Sequence, residues 1–160
     1  MDRMRELSEA DARGSVAKIY EEIRKYYAAP YVSSLFRHLA TYPGLLEWIW
    51  NITLPAFETG LMQNTGWKHV DVSGLKPLTP LSKEDLAAMK IDCVEKNIII
   101  ETCLTFTRVS PVNLVFAGGL EHLLLGKKIK ISAKKQDEFP LPSELLLSPK
   151  MVSWEDMTKR

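Results

Sequence analysis

The chain has 160 residues, a formal net charge of +1 at pH 7, and 46% hydrophobic against 26% charged residues. One domain of that length buries a sizeable core, and these proportions exclude a chain that is disordered throughout. So small a net charge gives no electrostatic ground for nucleic acid or an anionic membrane surface as partner.

No apolar run approaches the roughly 20 residues that cross a bilayer, so no membrane span is expected. The start, MDRMRELSEADARG, is charged and has no apolar signal region, so a cytoplasmic protein is the expectation. From Ser8 to Ala28 the pattern predicts one long helix, or a short helix followed by a longer one, with Val16, Ile19, Tyr20, Ile23 and Tyr27 on the apolar face. Ser15 is a candidate N-cap for the main segment. Pro30 ends it. Val32, Leu35, Phe36 and Leu39 then fall at i, i+3, i+4 and i+7, one face of a second helix, with Ser34, Arg37, His38 and Thr41 on the opposite stripe. Pro43 restarts the chain into a helix running toward Thr59, kinked at Pro55, with Gly60 as C-cap and helix resuming over Met62–Val72.

Ser73 through Pro80 reads as loop. Ser82, with Asp85 three positions on, opens a short helix to Met89. Asp92 caps the next, from Cys93 to about Thr107. Its side chains (Ile98, Ile99, Ile100, Cys103, Leu104, Phe106) are apolar nearly all round, which predicts a core helix; a buried strand at Asn97–Thr102 is the competing reading. Ser110-Pro111 opens a last helix, which runs to the stop residue Gly126, and Gly118-Gly119 within it suits close helix packing. Residues 1–126 thus form a helical domain. Residues 127–160 form an extended, proline-containing tail, whose Leu145–Leu147 and Trp154 need a surface on this chain or a partner subunit.

Chemistry-bearing patterns are few. Cys93 and Cys103, ten residues apart, lie roughly 15 Å apart on a helix, too far for a disulfide, and are expected to be buried thiols. His38, His69 and His122 share no metal-ligand spacing, so no metal site is expected, and no phosphate loop or nucleophile elbow occurs. The Ser34–Arg37–His38–Thr41 stripe suits either a small carboxylate, gripped by Arg37, or a solvated face. Asn97, Glu101, Thr105 and Arg108 form a polar line at steps of 4, 4 and 3, where Glu101 is either a perturbed base or structural. Trp48, Trp50, Tyr31 and Phe36 suit a pocket or an aromatic core.

The motifs Tyr20-Glu21-Glu22-Ile23-Arg24, Pro30-Tyr31-Val32, Phe36-Arg37-His38-Leu39-Ala40-Thr41-Tyr42-Pro43-Gly44-Leu45 and Ser110-Pro111-Val112-Asn113-Leu114, in this order, resemble the group I 2-haloacid dehalogenases over about residues 14–126. That resemblance implies an all-α fold in the form of a single repeat, most similar to the first of the family's two. A homodimer would then replace the pseudo-dimer that the two repeats form in one chain. It implies hydrolysis of small 2-substituted carboxylic acids by an activated water, with no cofactor. It also implies site positions at Tyr31, Ser34 and Ser110, to which Arg37 and Asn113 are added as substrate contacts. The family's activating Asp lies in the second repeat, in the segment equivalent to Pro30–Pro43, where this chain has no acidic residue. A relocated base, Glu101, is the catalytic expectation. The alternative is a helical binding or assembly module without catalysis.

Overall fold

The structure is a computed structural model that describes residues 5–131. It is all-α, with no strand among the described residues. The helices are α1 (Gly14–Tyr27), α2 (Ser34–Leu39), α3 (Leu45–Glu58), α4 (Leu61–Lys68), α5 (Lys83–Ala88) and α6 (Cys93–Leu124). The apolar face predicted for α1 is the buried one: Ile19, Tyr20, Ile23 and Tyr27 all point inward. They join Phe36, Trp50, Phe57 and Phe116 in an aromatic core, with Phe36 and Phe116 centroids 4.6 Å apart and Phe36 edge-on to Trp50. Such pairs add about 0.5–1.5 kcal/mol each beyond the area they bury. Trp50 keeps its indole N–H satisfied by donating to Glu22 Oε2 at 2.6 Å.

Several local signals act as the sequence suggests. Ser82 and Asp92 each form a complete capping box, with Asp85 and Glu95. α3 runs through Pro55, and Gly60, at φ +75°, turns it into α4. α4 is shorter than Met62–Val72, ending at Lys68. Gly126, at φ +73°, ends α6, with the Lys127 N–H returning to the His122 carbonyl.

Other expectations fail for identifiable reasons. Ser15 does not cap α1; its hydroxyl donates to Glu47 Oε1, tying α1 to α3, and Arg13 takes the cap position. Ser110-Pro111 starts no helix, because α6 passes straight through both. Packing holds it there. Val109 and Val112 flank the proline in the core, and Gly66 of α4 lies so close that an added Cβ would meet Pro111 C and Val112 N at 3.0 Å. The close approach is therefore at Gly66 and not at Gly118-Gly119, where Gly118 faces open space.

The first half of α6 is not in the core. Ile98, Ile99, Ile100, Leu104 and Phe106 are all exposed, and so are Cys93 and Cys103, contrary to the buried thiols expected. Among the described residues, only the turn at Ala28 and the segment that follows it reach that half, near Thr102, Phe106 and Arg108. As one 32-residue helix, α6 is long and apolar enough to cross a membrane by length and composition alone. The sequence reading finds no such run because it ends the helix before Ser110. Of the predicted tail, residues 127–131 are neither helix nor strand. Its remainder, including Leu145–Leu147 and Trp154, lies outside the described residues.

Two stability predictions follow from this packing. Gly66→Ala forces the α4 and α6 backbones apart and should cost about 1–3 kcal/mol in denaturant unfolding, with no loss of helical signal in the folded state. Burial raises the Tyr20 phenol to about 12, helped by Glu9 and Glu6 and opposed by Arg37, and burial raises Tyr27 well above its ordinary value. Folding thus favours their neutral forms. That contribution is complete below the unfolded pKa near 10 and is lost as the pH rises toward 12. Unfolding free energy should fall over that window, and Tyr27→Phe should flatten the fall.

Candidate functional site

The site begins where α1 ends. Ala28 adopts a left-handed conformation (φ 47°), and the Ala28 and Ala29 N–H groups close the helix on the Lys25 and Arg24 carbonyls. The chain then turns through Pro30 into the extended segment 31–33, which leads to α2. Two anchors hold that segment. The Val32 N–H donates to Glu9 Oε1 at 2.8 Å, while the other oxygen of Glu9 pairs with Arg24 of α1. Arg108 of α6 donates through Nη2 to the Ala28 carbonyl and to Thr105 Oγ1, each at 3.2 Å.

Between segment 31–37 and α6 lies a cavity of about 400 Å³. Tyr31, Ser33, Ser34 and Arg37 form one side. Thr102, Phe106, Val109, Ser110 and Asn113 form the other, at steps of 4, 3, 1 and 3 along a single face of α6. The Tyr31 and Phe106 rings lie 5.9 Å apart, tilted by 43°. Three buried polar atoms of these walls, Tyr31 Oη, Ser33 Oγ and Asn113 Oδ1, have no hydrogen-bond partner among the described residues. Unpaired buried polar atoms cost about 1–3 kcal/mol each, and three of them belong to residues of this one cavity.

Electrostatics add one cation at the edge. Arg37 grips Glu6 with Nε and Nη2, at 2.8 and 2.7 Å, and reaches Ser34 Oγ at 3.3 Å. Both charged side chains are roughly 29% exposed, so the pair is weakly held and open to exchange. Burial raises the Tyr31 phenol above its ordinary value, against the lowering effect of nearby Arg108. At neutral pH the phenol is therefore a hydrogen-bond donor. Among the described residues, no carboxylate lines the cavity.

Tyr31, Ser34, Arg37, Ser110 and Asn113, five of the residues singled out in the sequence, line this one cavity. Glu101 does not. It is half-buried, one position before the lining Thr102, and its carbonyl accepts the Thr105 hydroxyl at 2.8 Å. Of the rest of the polar line, Arg108, with Thr105, holds the Ala28 turn, while Asn97 is exposed. His38 and Thr41 stand outside the cavity; His38 Nδ1 meets the Arg5 carbonyl. Trp50 and Phe36 belong to the core, and Trp48 is at the surface. Sequence reasoning missed Thr102, Phe106 and Val109 as lining. The signal was present: stepping back from Asn113 by 4, 7 and 11 residues reaches all three. A helix boundary placed at Ser110 hides it.

No protein-family model and no curated protein matches this chain. Among solved structures it is similar to a D-2-haloacid dehalogenase mutant in complex with D-2-CPA, at 18% identity and a TM-score of 0.59. The match covers 87% of this chain and 53% of that one, so the chain spans about half the length of its neighbour. The fold is haloacid dehalogenase-like.

Arg108→Leu removes the anchor on the α6 side and leaves the buried Ala28 carbonyl without that partner. It should cost about 1–3 kcal/mol and speed amide exchange at Val32 and Ser33 well above that of the α3 core, as hydrogen-exchange mass spectrometry reads it.

Proposed function

We propose that this chain is a dehalogenase-like hydrolase of small 2-substituted carboxylic acids, with the substrate in the cavity between Tyr31 and Phe106. The observation that carries this reading is one cavity whose lining joins Tyr31, Ser33 and Asn113, each with an unpaired polar atom, to Arg37 and Ser34 and to the apolar Val32, Leu35, Phe106 and Val109. The neighbour in complex with D-2-CPA supports it at the level of fold.

In this reading the substrate carboxylate displaces Glu6 from Arg37 and takes a second contact from Ser34, a charge-assisted arrangement. The C2 substituent rests on the apolar side of the cavity. A water held by Ser110 and Asn113 attacks C2, the C2–halogen bond breaks with its electron pair leaving as halide, and the water proton passes to a base. Glu101 is the proposed base, and it has to turn toward Thr102 to reach that water. The second reading is a module that binds the acid without turning it over; among the described residues of the lining none is a carboxylate.

Calorimetric titration with 2-chloropropionate, alongside a chloride-release assay, separates the two. The wild type should bind the acid, Arg37→Met should weaken binding at least about tenfold, and Glu6→Gln should tighten it severalfold by freeing the guanidinium. Chloride release above the buffer blank, lost in Glu101→Gln with binding retained, establishes the hydrolase. Binding with chloride release at the blank leaves the binding module. No binding at all removes both.

A further inference from the structure

The core stripe of α6 is longer than the core that covers it. Thr105, Val109, Val112 and Phe116 step by 4, 3 and 4 residues and are all buried. Continued toward the N-terminus, this periodicity passes through Thr102 to Ile98 and Val94. No described element covers that end: Ile98 is 38% exposed and Val94 66%. The other sides of this stretch are apolar as well, with Ile99, Ile100, Leu104 and Phe106 between 43% and 48% exposed. A helix that is apolar all round is a buried helix.

We infer that a second copy of this chain covers the N-terminal half of α6, the two α6 stretches packing on each other about a two-fold axis, and that the partner closes the rim of the Tyr31–Phe106 cavity. The six side chains expose apolar surface on the order of 500 Å² per copy, and with intervening Thr102 and Cys103 this nears the ~800 Å² each partner gives to a standard interface. Charges are sparse there, with Glu95, Lys96 and Glu101 the charged residues between Cys93 and Thr107. The dehalogenase neighbour carries, beyond the 53% that this chain matches, nearly as much polypeptide again, the amount a second copy brings.

A bilayer fits this surface less well. The uncovered stretch, Cys93 to Thr107, spans about 22 Å, short of the ~30 Å hydrocarbon layer. The rest of α6 is held by Val109, Val112 and Phe116 in the aromatic core. Crossing a membrane would mean pulling that core apart.

Covering this stretch also bears on the cavity. Thr102 and Phe106 belong both to the uncovered helix and to the lining. The ligand arm of the test rests on the proposed function, whereas the mass arm does not.

Sedimentation equilibrium of the full chain, from submicromolar to tens of micromolar and without ligand, should show mass rising toward twice the 18.2 kDa of one copy. The double variant Ile99→Glu, Leu104→Glu lies outside the cavity lining, so it should keep the helical circular dichroism of the wild type. It should raise the dimer dissociation constant at least about tenfold. It should also weaken 2-chloropropionate binding at concentrations where the wild type is dimeric. A wild type of single-copy mass throughout the range overturns the inference, as does a folded double variant that dimerises like the wild type. Flotation of a monomeric wild type with phosphatidylcholine–phosphatidylglycerol vesicles overturns it in favour of lipid.

Discussion

The approach of Gly66 to Pro111 and Val112 is the contact on which the rest of the arrangement depends. Only a residue without a Cβ lets the α4 backbone come so close, with the nearest atoms of α6 already 3.0 Å from where a Cβ would stand. That closeness seats Val109, Val112 and Phe116 in the aromatic core. It thereby carries α6 through a proline that otherwise costs about 3 kcal/mol in a helix interior. Because the helix is continuous, Phe106 and Val109 lie before the proline and Asn113 after it, yet all share one face. Break the helix at Ser110 and the cavity loses its second wall.

The cavity is built from groups that the sequence separates widely. Arg108 hydrogen-bonds a carbonyl 80 positions away, and Glu9 reaches the Val32 amide across 23. Both are structural supports for the segment that presents Tyr31 and Ser33. Arg37 is differently placed. Its guanidinium is occupied by Glu6, a partner equivalent in chemistry to the carboxylate of a small acid, in a partly exposed pair whose net worth is about 0–1 kcal/mol. In the proposed function a ligand carboxylate would exchange one ion pair for another at little cost, and the affinity gain would have to come from the cavity residues Tyr31, Ser33 and Asn113.

What could be read in the sequence was local or periodic. Ser82 is legible as the start of a capping box through the acidic residue three positions on, Asp92 as a cap, and Gly60 and Gly126 sit at positive φ where the chain turns. The buried face of α1 and the buried Phe36 and Leu39 of α2 follow from spacing, whereas Val32, expected on the same helix, lies in the extended segment before it. Five of the cavity residues were legible because the motifs at Pro30 and Ser110 drew attention to them. The remainder depends on tertiary placement. Nothing in the sequence around Pro111 says that a glycine 45 positions earlier will shelter it, and without that knowledge a serine before a proline reads as a helix start. Apolar character likewise says that a side chain needs cover without saying that the same chain provides it, which is why the isoleucine run and both cysteines were placed in the core.

The same run shows how local and tertiary terms compete within one helix. Ile98, Ile99 and Ile100 are β-branched and favour strand over helix by several tenths of a kcal/mol each. A strand at Asn97–Thr102 has no neighbouring strand among the described residues, so its backbone groups would lack a ladder. As helix, every backbone group of the run is satisfied internally, and the start is fixed by Asp92, whose side chain accepts from the Val94 and Glu95 amides at 2.8 Å. That cap contributes about 1 kcal/mol, comparable to the summed β-branched penalty. The conformation of this stretch is thus set by its cap and by continuity with the buried half of α6, while its exposed apolar surface is a separate cost that only a neighbour outside the described residues removes.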